Sequence, residues 1–160
     1  MQNENKNENK NENKNENKTN VNQHYECNEF IKKIANNVYK QLGPGHTEFI
    51  YHRAMEIELR SKYINYETEK RVLIKYNIDG KDYTLGEERI DLYLHDYEII
   101  IELKAMINAP KETEIAQVYK YDRELKKIGI NSKYGIIINF PQAGVKIAKD
   151  EIDFYEFKLD

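Results

Sequence analysis

The chain has 160 residues, of which 33% are charged and 39% hydrophobic, and its net charge is −3. That length suits one domain and excludes two of ordinary size. The acidic balance excludes a molecule that holds nucleic acid by its overall charge, so any such contact must rest on a local basic patch or on bound cations. Cys27 is the one cysteine, which excludes an internal disulfide and a zinc cluster of thiolates. No apolar run approaches the roughly 18 residues of a membrane helix, and the N-terminus lacks the apolar core of a secretion signal. A soluble, intracellular protein is expected, neither secreted nor bound to a membrane.

Within residues 2–18 the unit Asn-Glu-Asn-Lys repeats. With no apolar residue after Met1, this stretch cannot bury surface to offset the entropy cost of ordering. Residues 1–24 are therefore expected to be a disordered low-complexity tail, and 25–160 the domain. The Glu and Lys charges of the tail nearly cancel, which makes it a poor DNA-binding arm. Next, Cys27, Ile31, Ile34, Val38 and Leu42 recur at helical spacing, and Gly43-Pro44-Gly45 stops the helix. A second helix is expected from Thr47, a good N-cap, to about Lys62, burying Ile50, Ala54, Ile57 and Leu59.

Val72, Ile74, Tyr76 and Ile78 alternate with polar residues at the strand period, and Asp79-Gly80 signals a hairpin that returns over Lys81–Leu85. Ile90, Leu92 and Leu94 predict a third strand, and Ile99–Leu103 a fourth. A long helix fits Pro110 to Ile128, closed by Gly129. Tyr134–Phe140 reads as a buried strand. The tail from Val145 to Phe157 fits an edge strand or a helix. The order predicts an α/β or α+β domain with a central mixed sheet flanked by helices.

The pair formed by the third and fourth strands is the most informative stretch. If the hairpin is centred between Asp96 and Tyr97, Ile90 faces Leu103, Leu92 faces Ile101 and Leu94 faces Ile99, all on one face. A slip of one residue would separate these apolar sets, so burial selects the register. The same register sets Asp91 opposite Glu102 on the other face, with Lys104 on that face and Arg89 opposite it. Two carboxylates across a strand pair repel. A divalent cation removes the penalty, and Mg²⁺, or Mn²⁺, suits carboxylate oxygens. Lys104 would orient or deprotonate an attacking water and stabilise charge developing on a phosphate. The alternative is a surface ladder in which Glu102 pairs with Lys104 or Arg89. Tyr93 shares the parity of Asp91. The histidines His24, His46, His52 and His95 show no ligand-like spacing.

Asp91, followed by Glu102-Leu103-Lys104 after an isoleucine run, resembles the Asp…(Asp/Glu)-x-Lys signature of the PD-(D/E)XK nuclease superfamily. Gly45-His46-Thr47-Glu48-Phe49-Ile50-Tyr51 resembles the motif of its GxxExxY branch, and Leu42-Gly43-Pro44-Gly45, Gly86, Glu102-Leu103-Lys104-Ala105 and Ile138-Asn139-Phe140 follow in the expected order. Ile90 stands where many members have proline. The resemblance covers about residues 25–157. It implies a restriction-endonuclease-like core and a metal-dependent phosphodiesterase site. Asp91, Glu102 and Glu48 would be the metal ligands, Lys104 would assist catalysis and Tyr51 would pack or orient. For Glu48 the plain alternative is a first-turn acid favoured by the helix dipole.

Gln117 and Tyr121 share one helix face at a spacing that resembles the RecB-like branch, where such a pair supports the site. Lys120, Arg123 and Lys127 are candidate phosphate contacts on the same helix, against a plain solvated face. The expected partner is nucleic acid, DNA before RNA. Two other readings stand beside the nuclease: a catalytically silent binding or regulatory module, and a partner protein that dimerises through exposed apolar surface near Phe154 and Phe157. The sequence leaves the oligomeric state open.

Overall fold

The computed structural model describes residues 26–143 and 150–159. The repeat-rich tail and the stretch 144–149 lie outside them, so the expectation of disorder over residues 1–24 falls there too. Helix α1 covers residues 26–42, α2 Glu48–Ser61, and strands β1, β2 and β3 cover Tyr66–Ile78, Lys81–Leu94 and Ile99–Lys104. Helix α3 (Glu112–Lys126) crosses over to β4 (Tyr134–Asn139), and β5 (Asp153–Lys158) closes the edge. The strands form one mixed sheet in sequence order. Only β3 and β4 run parallel; the other neighbours are antiparallel. No helix among the described residues is long and apolar enough to cross a membrane.

Three helices flank this five-stranded sheet, as the restriction-endonuclease-like expectation requires. On one face α1 and α2 bury Ile31, Val38, Tyr51 and Met55 against Leu92, Leu94, Ile101, Leu103, Ile136 and Ile138. On the other, α3 sets Val118, Tyr121 and Leu125 against Ile100 and Ile137. Strand β3 is therefore covered on both sides, and Ile99 to Leu103 are all buried. That explains why its sequence is a continuous apolar run and not an alternating one.

Several boundaries differ from the pattern reading. The segments expected as two strands around Gly86 are one strand, β2, with a register shift opposite, between Ile74 and Lys75. Gly86 itself pairs with Ile74, and the bulge takes up Leu85 without ending the strand. Asp79 and Gly80 both have positive φ (50° and 82°), the geometry that suits a tight hairpin. In α2 the buried face is Tyr51, Met55 and Leu59, whereas Ile50 and Ile57 are exposed. The aromatic ring of Tyr51 stacks on Phe140 (centroids 4.4 Å apart) and so decides which face turns inward. Phe154 and Phe157 are not an exposed patch: they leave β5 on opposite sides and pack against the two cores.

Gly135 lies between β5 and α3, where an added Cβ would meet Phe157 at 2.6 Å and Val118 at 2.8 Å. Gly135→Ala is expected to destabilise the fold by about 1–3 kcal/mol through overpacking. Urea denaturation checks this, and Phe157→Leu in the same chain should recover part of the loss.

Candidate metal centre

Helix α2 brings two side chains to the site. Glu48 and His52 lie one turn apart on the same face. The loop before the helix is clamped from three directions. The Tyr51 hydroxyl donates to the Gly43 carbonyl at 2.6 Å. Gly45 donates its backbone N–H to the Gln142 side-chain oxygen at 2.7 Å, and Gln142 Nε2 reaches Tyr51 Oη at 3.2 Å. Gly43 and Gly45 have φ of 69° and 100°, which a side chain would strain. The spacing Gly45, Glu48, Tyr51 thus has a local cause: the outer two fix the helix start and Glu48 is the residue left free to project.

Strand β2 loses its regular pleat at Asp91. Ile90 joins Tyr93 and Ile100 in the core under α3, whereas Leu92 joins the opposite core with Leu94. The expectation of six apolar side chains on one face is therefore corrected for Ile90. The cause lies in β1, where Glu69 adopts φ 51° and the pairing passes from Thr68–Leu92 to Lys70–Ile90 without joining Glu69 to Asp91. On the other side the β2–β3 pairing stops at Leu92–Ile101. Beyond it the Asp91 carboxylate replaces the strand partner and accepts the Leu103 N–H at 2.6 Å.

Glu102 is 3% exposed. One carboxylate oxygen accepts from Lys104 Nζ at 2.7 Å, while Oε2 is buried with no hydrogen-bond partner. Burial pushes the Glu102 carboxyl up to about 8, and the Asp91 charge adds to this against the opposing pull of Lys104. Burial also raises Asp91 and Glu48, the latter partly offset by Lys104 and by a hydrogen bond from the Ala105 backbone. Burial disfavours the Lys104 ammonium, but Glu102, Glu48 and Asp91 outweigh it and hold its value above the ordinary one. Glu48, Asp91, Glu102 and Lys104 thus form one electrostatic cluster. The residue after next in the loop, Met106, is tied to the fully buried Asn139, which accepts its N–H at 2.8 Å.

The remaining expected residues divide. Gln117 donates to the Tyr121 hydroxyl at 2.5 Å. Tyr121 is 2% exposed and its phenol is pushed up by burial and by Glu102. Arg89 does not face Lys104; it pairs across the strands with Arg71 and answers Glu87 and Glu69 at 3.4 and 3.8 Å. The early end of the β2–β3 ladder removes the opposition that symmetry predicted. Lys120 pairs with Glu88 at 2.6 Å, Lys127 with Glu124 at 2.7 Å, and Arg123 approaches Glu124 at 3.7 Å. Tyr93 is turned into the core and donates to the Asn131 carbonyl at 3.1 Å.

Two residues were missed. His52, Glu69 and Asp91 each bring a ligand atom within 4.8 Å of the others, a set that could hold a metal ion. His52 carried a signal in its place one turn after Glu48. Glu69 carried none, because its approach depends on the local break in β1.

A family model described as the PD-(D/E)XK nuclease superfamily matches residues 25–150. A solved structure described as the crystal structure of SSO0001 is similar over 70% of this chain and 50% of that one, at 25% identity and a TM-score of 0.51. The chain thus spans half the length of that structure. No curated protein matches.

A folded-state value above the ordinary 4.5 means that folded Glu102 keeps a proton the unfolded chain has released, so stability falls as pH rises from there to about 8. Asp91 acts in the same direction. The metal-free protein is expected to be less stable at high pH, and Glu102→Gln to recover about 1–3 kcal/mol near pH 8.5 while changing little near pH 5. Urea midpoints at the two pH values test it; a variant whose stability falls as steeply as the parent's contradicts the assignment.

Proposed function

This chain belongs to the PD-(D/E)XK nuclease superfamily, and we propose that it is a divalent-metal-dependent nuclease of the GxxExxY branch, hydrolysing phosphodiester bonds in DNA before RNA. The observation that carries the reading is the unpartnered, buried Glu102 Oε2 next to Asp91 and Lys104. An acceptor kept from both water and donors costs about 1–3 kcal/mol. The charges of Asp91 and Glu48 beside it add repulsion. A cation would answer both costs, and Asp91, Glu102 and Glu48 would hold a hard divalent ion, Mg²⁺ or Mn²⁺, through oxygen donors, although the ligand atoms that converge within 4.8 Å are those of His52, Glu69 and Asp91.

Such an ion, when bound, supplies Lewis-acid polarisation of a phosphate oxygen and eases formation of hydroxide near neutral pH. The protein's own groups account for the rest. Leu103 N–H fixes one oxygen of Asp91. Glu102 holds Lys104 in its ammonium form. That favours Lys104 as a donor that orients water and steadies developing phosphate charge, and disfavours it as a base. Tyr121, which feels the Glu102 charge and is held by Gln117, would act as a positioning residue. Gly45 and Tyr51 hold the start of α2, from which Glu48 projects.

A second reading, a catalytically silent binding or regulatory module that keeps the nuclease fold, is favoured by the acidic net charge of −3. The basic side chains of α3 already answer acids, so phosphate contact by Lys120, Arg123 or Lys127 would exchange partners. Cleavage of DNA and RNA substrates with Mg²⁺ or Mn²⁺ separates the two. Lys104→Ala and Asp91→Asn are each expected to lower the rate by about 10²-fold or more. Equal cleavage by parent and Lys104→Ala would overturn the assignment, and binding without cleavage by the parent would leave the second reading.

A further inference from the structure

We propose that a second copy of this chain docks along β1, pairing Lys70–Ile78 antiparallel about a two-fold axis at Ile74 and so joining two sheets into one. The inference stands apart from the nuclease reading, since it uses no residue of the metal centre.

β1 is one of the two edges of the sheet and the longer, with 13 residues against 6 for β5. Long edges are usually blunted by proline, bulges or charge. From Val72 to Ile78 the strand has no proline, and its one charged residue is Lys75. Leu73, Tyr76, Ile78 and Ile128 are exposed there by 42, 57, 49 and 59%. On side chains of this size that is about 400 Å² per copy, so two copies with their backbone and flanks reach the roughly 1,000 Å² that a specific interface needs. Between the strand and the end of α3 lies a groove of about 250 Å³, lined by Val72, Leu73, Leu125 and Ile128 together with Arg71 and Lys75.

The strand's own sequence selects the occupant. β1 and β2 are joined by a two-residue turn between Ile78 and Lys81. Such a turn closes on a hydrogen-bonded pair, so alternation leaves the backbone groups of Arg71, Leu73, Lys75 and Asn77 to the outer edge. Self-pairing must then match odd residues with odd. Centred on Leu73 it opposes Arg71 to Lys75, and centred on Lys75 it opposes that ammonium to its own copy. Centred on Val72 it runs through Glu69, where φ 51° interrupts the pleat. Centred on Ile74 it avoids all three conflicts and sets Arg71 against Asn77, Leu73 against Lys75 and Tyr76 against Val72. Tyr76 of the second copy then enters the groove that Leu125 and Ile128 line. Other occupants fit less well. Residues 2–18 have no apolar side chain to fill it. The stretch 144–149 is held at its ends by Gln142 on Gly45 and Ile152 on Asn36, on the side of α1 and α2. Nucleic acid finds no surplus of charge at the hairpin tip, where Asp79 and Asp82 balance Lys75 and Lys81.

Sedimentation of the full chain from about 1 to 100 μM tests this, with a dimer forming in that range. Each substitution acts twice across the axis. Tyr76→Ser, on an exposed side chain, should weaken dimerisation by about tenfold or more. Leu73→Lys, set against Lys75, should weaken it as much, whereas Leu73→Glu should hold or tighten it. Circular dichroism checks that each variant keeps the native fold. Ile74→Cys meets its own copy on the axis and should crosslink on mild oxidation. Asn77→Cys, set against Arg71, should not, and the natural Cys27 is buried in both. A parent that stays monomeric at the highest concentration overturns the proposal, as does a dimer unmoved by Tyr76→Ser and Leu73→Lys. Equal losses in Leu73→Lys and Leu73→Glu, or equal crosslinking at the two cysteines, overturn it too. A monomer whose nucleic-acid binding falls with Tyr76→Ser would assign this face to substrate instead.

Discussion

The structure turns on the 2.6 Å hydrogen bond from the Leu103 backbone to the Asp91 carboxylate. It stands where the β2–β3 ladder has ended, so a side chain does the work of a strand neighbour. The consequence is a gap between two strands that remain packed in the core on either side. Asp91, Glu102 and Lys104 occupy that gap, and Glu48 and His52 approach it from α2.

Burial then sets the chemistry. Burying Glu102 and half-burying Asp91 beside a single nearby ammonium raises their proton affinity, and the buried, unpartnered oxygen of Glu102 is the residue of that imbalance. Such an arrangement is costly to the fold and persists because the surrounding core is rigid. Strand β3 supplies the rigidity, since Ile100 and Ile101 are locked between α3 on one face and α1 with α2 on the other. The residues that surround the acids serve this same end. Asn139 ties down the loop after Lys104, and Gln142 and Tyr51 tie down the loop before Glu48. The two ties lie at the last residue of β4 and three residues beyond it, so the end of β3 and the start of α2 are positioned from neighbouring points.

The far half of the β1–β2 hairpin has another character. Tyr76, Ile78, Tyr83 and Leu85 are exposed there, and among the described residues the pairing beyond Ile74 joins neither core. Alternation in that region described a strand correctly but did not describe burial. The paired Tyr76 and Tyr83 support each other across the strands, and ion pairs such as Arg71 with Glu87 hold the lower part together. β-Propensity and cross-strand contacts sustain the hairpin where the core does not reach.

The sequence by itself determined the layers of the fold, the register of Leu92 and Leu94 on Ile101 and Ile99, and the candidate acids Glu48, Asp91 and Glu102 with Lys104. The layers, the register and the pair Asp91 and Glu102 with Lys104 follow from short-range periods or local turn chemistry, which one segment can express alone, whereas Glu48 came from the resemblance of its motif. It also held the meaning of Gly45 and Tyr51, although their common cause, the clamp on Gln142, joins residues 97 and 91 positions apart. Tertiary structure alone decided which way Ile90 points, what Arg89 pairs with, which face of α2 is buried, and that His52 and Glu69 come to Asp91. These outcomes depend on a break in the pleat where β1, β2 and β3 meet, and a break of that kind arises from the packing of three segments together, so no single stretch of sequence carries its period.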